Sequence, residues 1–240
     1  MRLRLLKGSQ HVFNERYNEK WSVLNCFTKT GEWNDISVES LIENALGARP
    51  RQIWGPSDEL KCLAGWFNRA VLRALKKILP GFMCGYNVQQ MGEALRKKKE
   101  ELAMRHGFTN VSAFTFDGSA HDSHQDYRLI NNVDSLLWRK VIPLFADLHS
   151  LPEFVIESLE HFVLDETFTA YAKNHFNGTE YLVYKVKVRG TVFSGHPTRT
   201  TVGNSLRTLS YVTFLVFLEY GEQAATSAFF GKNKDIFIAV

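Results

Sequence analysis

A chain of 240 residues with 45% hydrophobic and 22% charged side chains can bury a core, which excludes a disordered or low-complexity polypeptide. Its net charge of +4 permits a polyanionic partner without requiring one. Cys26, Cys62 and Cys84 are odd in number and too dispersed for a zinc site or disulfide framework, which points to a reducing compartment. The opening MRLRLLKGSQ lacks the apolar core of a signal peptide. The most apolar stretch, Leu209 to Leu218, is far shorter than the roughly 20 residues of a membrane span, so no transmembrane segment is expected.

Residues 1 to 48 are weakly patterned, and Phe27-Thr28-Lys29-Thr30-Gly31-Glu32 reads as a loop or short strand. In Ala48-Arg49-Pro50-Arg51-Gln52-Ile53-Trp54, Pro50 drives Arg49 toward an extended conformation. Alternation then puts Arg49 and Arg51 on one face, where paired guanidinium groups suit phosphate. A solvated edge strand accounts for the same residues. Ser57 is placed to cap a helix whose Leu60, Leu63, Ala64, Phe67, Val71, Leu75 and Ile78 recur at helical spacing until Pro80-Gly81. A second helix is expected between Asn87 and His106, with Gly107 as its stop. Its run Arg96-Lys97-Lys98-Lys99-Glu100-Glu101 reads as a solvated face, with phosphate contact as the alternative.

The stretch Val111 to Gln125 begins with an apolar run to Phe116, which reads as a buried strand. Asp117 stands at its end and Asp122 follows across a short turn. Such a pair can hold Mg2+, which takes one or two protein carboxylates and fills its octahedron with water and phosphate oxygens. The same pair is at home capping a turn or a helix. Leu129, Ile130, Val133, Leu136, Leu137 and Trp138 then form a helical stripe, and Ser150 with Glu153 fits a capping box for the next helix. Thr167 to Lys173 and Thr179 to Arg189 flank Asn177-Gly178, a strong hairpin signal. Lys185, Lys187 and Arg189 alternate with Val186 and Val188, giving one basic and one apolar face. The segment Phe193 to Asn204 reads as a loop in which Gly195 allows close backbone approach. Val202, Leu206, Leu209, Val212 and Val216 continue it as a buried helix, with Asn204 near its start.

Asp117-x4-Asp122, followed by Ser194-Gly195 with Thr200-x3-Asn204, resembles motifs A and B of RNA-dependent RNA polymerases from positive-strand RNA viruses, nearest the tombusvirus-like and nodavirus-like patterns. Ala48 to Ile53 looks like their basic motif F, and Phe27 to Glu32 resembles the element preceding it with one residue too many. The distance from Ser194 to Asn204 is one residue longer than the family pattern, so Thr198, Thr200 and Thr201 all stand as candidates for the motif B threonine. No Gly-Asp-Asp occurs. The segment Asp235 to Val240 reads as a buried strand of the kind that runs into motif C, which implies an incomplete polymerase.

The resemblance implies an α+β right-hand polymerase with helical fingers over residues 1–110. Residues 111–240 would hold an antiparallel-sheet palm with motifs A and B and inserted fingers helices, the thumb and motif C being absent. Its activity would be nucleotidyl transfer of ribonucleoside triphosphates onto an RNA template-primer during viral genome replication. Its partners would include other viral replication proteins in the host cytoplasm, at membrane-associated replication complexes. Two Mg2+ or Mn2+ ions about 3.5–4 Å apart serve such chemistry. Asp117 would ligate metal, and Arg51 with Arg49 would neutralise the triphosphate. Asp122 and Asn204 would read the ribose 2′-hydroxyl, the Ser194-Gly195 loop would lie against the templating base pair, and Thr200 would be a further substrate-binding residue. The fragment alone is expected to bind metal weakly and not to polymerise. A reverse-transcriptase-like polymerase and a non-catalytic RNA-binding or scaffold fragment are the alternatives.

Overall fold

The computed structural model describes residues 23–28, 52–115, 121–164, 167–176 and 179–240. Helices predominate and a sheet accompanies them, a broadly α+β arrangement. The sheet is four-stranded, in the order β2 (Gln52–Gly55), β1 (Val23–Thr28), β3 (Thr167–Phe176), β4 (Thr179–Arg189). It is mixed and not purely antiparallel: β1 pairs antiparallel with β2 but parallel with β3. Parallel neighbours require a long connection, and the helices between β1 and β3 supply it. β2 is an edge strand, as the Ala48 to Trp54 segment allows. In the hairpin Phe176 pairs with Thr179, leaving Asn177 and Gly178 between the paired ends and outside the described residues.

Helix α1 (Asp58–Ile78) starts where Lys61 N–H donates to the Ser57 carbonyl at 3.0 Å. Leu63, Ala64, Phe67, Val71 and Leu75 are buried on one stripe, as the spacing predicts. Ile78 departs from that stripe at 57% exposed, and Leu79 takes the last core position instead. Helix α2 (Val88–His106) has Asn87 as its N-cap in a capping box, and Gly107 follows with φ 84°. Its charge run is solvated and internally paired, Arg96 with Glu100 at 2.6 Å and Lys98 with Glu101 at 3.0 Å.

The apolar run before Asp117 does not form the expected strand. Residues 111–115 have no regular structure and Phe114 is 81% exposed. Apolar composition permits a strand, but a strand needs a neighbour to take its backbone hydrogen bonds, and the sheet order leaves this run none among the described residues.

Helix α3 (Tyr127–Ile130) runs through a π-helical turn, Asn131–Ser135, into α4 (Leu136–His149). Helix α5 (Glu153–Leu164) follows. The capping box proposed for Ser150 and Glu153 is absent. Ser150 closes α4 in the left-handed region at φ 48°, and the first turn of α5 hangs from the Pro152 carbonyl. A residue that must turn the chain out of one helix cannot also adopt the extended backbone of an N-cap. The segment predicted as loop becomes helical sooner than expected: Pro197–Gly203 is a π-helical turn leading into α6 (Asn204–Phe229). Pro197 suits that start because its missing N–H would have had no helical partner.

One core unites α1, α4, α5 and α6. Phe67 stands edge-on to Trp138 and Phe145 at 5.5 and 5.2 Å, and Leu159, Val202 and Leu209 complete its centre. The C-terminal segment joins this core through Ile238 but has no regular structure, so the expected strand is not formed. It is held by Met83 N–H on the Val240 carbonyl at 2.7 Å and by Val240 N–H on the Gly81 carbonyl at 2.9 Å. A smaller cluster of Leu24, Phe193 and Trp54 links the sheet to the segment leading into α6.

Candidate functional site

The Ser194-Gly195 turn is seated on the edge strand that follows Arg51. Gly195 N–H donates to the Trp54 carbonyl at 3.0 Å. A Cβ on Gly195 would collide with that carbonyl and lie 2.9 Å from Gly55 Cα, so a side chain would push the turn off β2. Trp54 also packs on Phe193, with ring centroids 6.0 Å apart. Two stretches far apart in sequence are thereby joined backbone to backbone.

Hydroxyl groups close the turn at its base. Thr200 Oγ1 donates to the Phe193 carbonyl at 2.8 Å. Thr198 instead meets His196 Nδ1 at 3.1 Å, and Thr201 bonds the Pro197 carbonyl within its own helical turn. Of the candidate threonines, Thr200 is the one that ties the two ends of the loop together.

His196 is fully buried and stacked on Phe162 at 4.5 Å. The Arg199 N–H donates to His196 Nδ1 at 3.2 Å, so Nε2 carries the proton and donates to the Phe162 carbonyl at 3.2 Å. Burial holds the imidazole well below its ordinary pKa, and the Arg199 charge adds to that effect. His196 is therefore a neutral structural hinge between α5 and the loop.

Asn204 is held by Arg207, one turn further along α6. The Arg207 guanidinium, 2% exposed, donates through Nη2 to Asn204 Oδ1 and to the Arg199 carbonyl. Its Nη1 pairs with Asp134, and its Nε donates to Gln125 Oε1 at 2.8 Å. Gln125 Nε2 in turn donates to the His121 carbonyl at 2.9 Å, across the short 3-10 turn His121–His124 that contains Asp122. Burial pushes the Asp134 carboxyl above the ordinary carboxylate range, while Arg207 pulls it back. Gly203 makes room for the pair, since a Cβ there would lie 2.5 Å from Asp134 Oδ2 and 2.9 Å from Arg207 Nη1.

On β4, Lys185, Lys187 and Arg189 are exposed, in keeping with the alternation. The Arg189 guanidinium lies 4.6 Å over the Tyr127 ring, which fastens one end of this basic row beside the start of α3. Gly190 next to it adopts φ 65°, where a Cβ would overlap Tyr127. Side-chain positions of Asp117, Arg49, Arg51 and Asp122 lie outside the described residues, although the backbone of Asp122 is within its turn. Among the described residues no three His, Cys, Asp or Glu side chains converge as a metal cluster, and no helix is long and apolar enough to cross a membrane.

Sequence reasoning identified Ser194, Gly195, Thr200 and Asn204, which the structure brings into one continuous turn and helix start. It missed Arg207, Asp134, Gln125 and His196. One signal was legible: Arg207 interrupts an apolar helical stripe between Leu206 and Leu209, and a charged residue beside buried positions needs a counter-charge. No family model matches the chain, and no curated protein or solved structure matches it either.

Proposed function

We propose that this chain is the fingers-and-palm part of an RNA-directed RNA polymerase that transfers ribonucleotides onto an RNA 3′ end in viral genome replication. The observation that carries this reading is the meeting of its motif-bearing stretches. Gly195 is bonded to the strand that follows Arg51. Arg207 bridges Asn204 to Gln125, 82 residues earlier and beside the Asp122 turn. A binding fold built from these stretches for triphosphate, ribose and template would require those junctions, whereas unrelated surface motifs would not.

In this reading Arg51 and Arg49 neutralise the triphosphate, and Asp122 with Asn204 reads the sugar. The exposed row of Lys185, Lys187 and Arg189 follows the RNA backbone. Asp117 offers carboxylate oxygen, the donor type that fits Mg2+ or Mn2+. When bound, such ions stabilise charge on the attacking and leaving oxygens. The protein's own share is to orient the triphosphate and hold the ribose against paired hydrogen-bonding groups.

The test is binding of Mg-GTP, Mg-2′-dGTP and a short RNA primer-template by the 240-residue chain. Triphosphate and RNA binding with a preference for the ribonucleotide is expected. Asp117→Ala should weaken both sugars alike. Asp122→Ala or Asn204→Ala should narrow the preference by about 1–3 kcal/mol, the scale of a buried polar group left unpaired. RNA binding without triphosphate binding would identify an RNA-binding module instead. A preference for the deoxynucleotide would favour a reverse-transcriptase-like enzyme.

A further inference from the structure

We infer that the kinked second half of α6 is a protein-interaction surface that seats an arginine side chain of a partner, flanked by apolar residues. The inference does not rest on the polymerase reading. Helix α6 is apolar on two sides. Leu206 and Leu209 are buried, and Val212 and Val216 pack against the same core. Tyr211, Phe214 and Leu218 recur at i, i+3 and i+7 on the opposite side and are 61%, 53% and 64% exposed. A helix with one face settled in a core normally turns charged and polar side chains to water. An aromatic stripe turned outward instead marks an association site.

The chain bends at Gly221, whose φ of 79° and ψ of 178° are not helical and suit only glycine. Phe214 and Phe217 before the bend and Phe229 and Phe230 after it line one cavity of about 390 Å³. Phe214 and Phe217 lie near-parallel with centroids 6.1 Å apart, and Phe229 meets Phe230 edge-on at 5.2 Å. That volume is on the scale of one bound side chain or small molecule. Glu222 lines the same cavity with the hydroxyls of Ser210 and Thr226, so a carboxylate and two further acceptors share it with the four rings. Aromatic faces attract a cation, and the carboxylate balances its charge. Glu219, exposed two residues before the bend, adds a second negative charge. Lys232 already lies 5.9 Å over Phe230, so one ring of the set takes a cation from the chain itself. Arginine fits this chemistry best. Its guanidinium is weakly hydrated, stacks on aromatic rings and offers several N–H donors to carboxylate and hydroxyl oxygens. Tyr211 and Leu218 then cover the apolar residues beside it, the aromatic and arginine pairing of interface hot spots.

The experiment titrates the 240-residue chain with the peptide acetyl-Leu-Arg-Leu-amide and follows the Phe214, Phe217, Phe229 and Phe230 ring signals by NMR. The same peptide with citrulline in place of arginine keeps the shape and removes the charge. The arginine peptide should shift these rings and bind about two- to fivefold tighter than the citrulline peptide, the worth of one exposed charge contact. Glu222→Gln should narrow that difference and leave citrulline binding as it was. Phe214→Leu should weaken the arginine peptide about two- to fivefold through the lost ring face. Both positions are exposed, so the variants should keep the wild-type urea midpoint. Equal affinity for the two peptides, or a Glu222→Gln variant that discriminates between them as the wild type does, overturns the arginine assignment. Tighter binding of phosphocholine than of the arginine peptide overturns it too, in favour of a headgroup or small-molecule site. Ring signals that stay in place with the arginine peptide overturn the interaction surface itself.

Discussion

Helix α2 and the segment from Phe193 to Arg207 are both sharply defined, yet they owe their conformation to opposite kinds of partner. In α2 the Asn87 side chain accepts from Gln90 N–H at 2.8 Å and the Gln90 side chain accepts from Asn87 N–H at 3.0 Å. Two of its ion pairs are likewise three or four residues apart, and Ala103 is the residue it buries; its last turn reaches further, through Arg105 on the Lys234 carbonyl and His106 beside Asp235. The Phe193 to Arg207 segment depends on partners 34, 73 and 82 residues away, at Phe162, Asp134 and Gln125. An element specified locally tolerates change by fraying. One specified by distant buried polar groups fails as a unit, because each unpaired group is left in a medium that solvates it poorly.

The largest break in this contrast is expected from Arg207→Met alone. It leaves Asp134 buried without its cation and should cost about 3–5 kcal/mol in a urea-unfolding experiment. Adding Asp134→Leu should restore most of that loss. An equal loss in the double variant would show that packing, not charge pairing, dominates there.

Gly195→Ala is the next most damaging change. The new methyl group meets the Trp54 carbonyl and the Gly55 Cα, so the loss should be about 1–3 kcal/mol. Hydrogen exchange should show the Gly195 amide losing protection while α2 keeps its own.

The buried imidazole sharpens the comparison through pH. His196 is neutral when folded, with its pKa depressed well below 6.5. Its contribution to stability is complete above that value and is lost as pH falls, because the unfolded chain binds the proton first. The slope should approach about 1.4 kcal/mol per pH unit below 6.5 until the folded histidine itself titrates. Comparing stability curves of the wild type and His196→Gln isolates it, and identical slopes would contradict the assignment.

The smallest effects belong to α2. Asn87→Ala should cost about 1 kcal/mol and fray the first turn. Arg96→Ala should cost about 0.5 kcal/mol or less, since its ion pair with Glu100 is exposed on both sides. Circular dichroism with hydrogen exchange resolves both. Either change reaching the Asn204 amide would blur the division between the two regions.

The amino-acid sequence by itself determined the elements whose instructions are short-range. The spacing of Leu63, Phe67, Val71 and Leu75 made α1, the Asn87 cap and Gly107 bounded α2, and alternation after Asn177-Gly178 made a strand with a basic face. Gly195, Thr200 and Asn204 were legible as a loop and helix start because small and hydroxyl side chains mark close backbone approach. Tertiary structure alone decided what those residues touch. Val111 to Thr115 had the composition of a strand but no neighbour to pair with among the described residues. Ser150 had the chemistry of an N-cap but was needed to terminate α4 in the left-handed region. Arg207 could find its counter-charge only once α6 had packed beside the π-helical turn that carries Asp134. Periodicity and capping act over one helical turn or one strand pair, whereas the pairing of buried charges depends on which elements pack together, and packing exists only in the assembled chain.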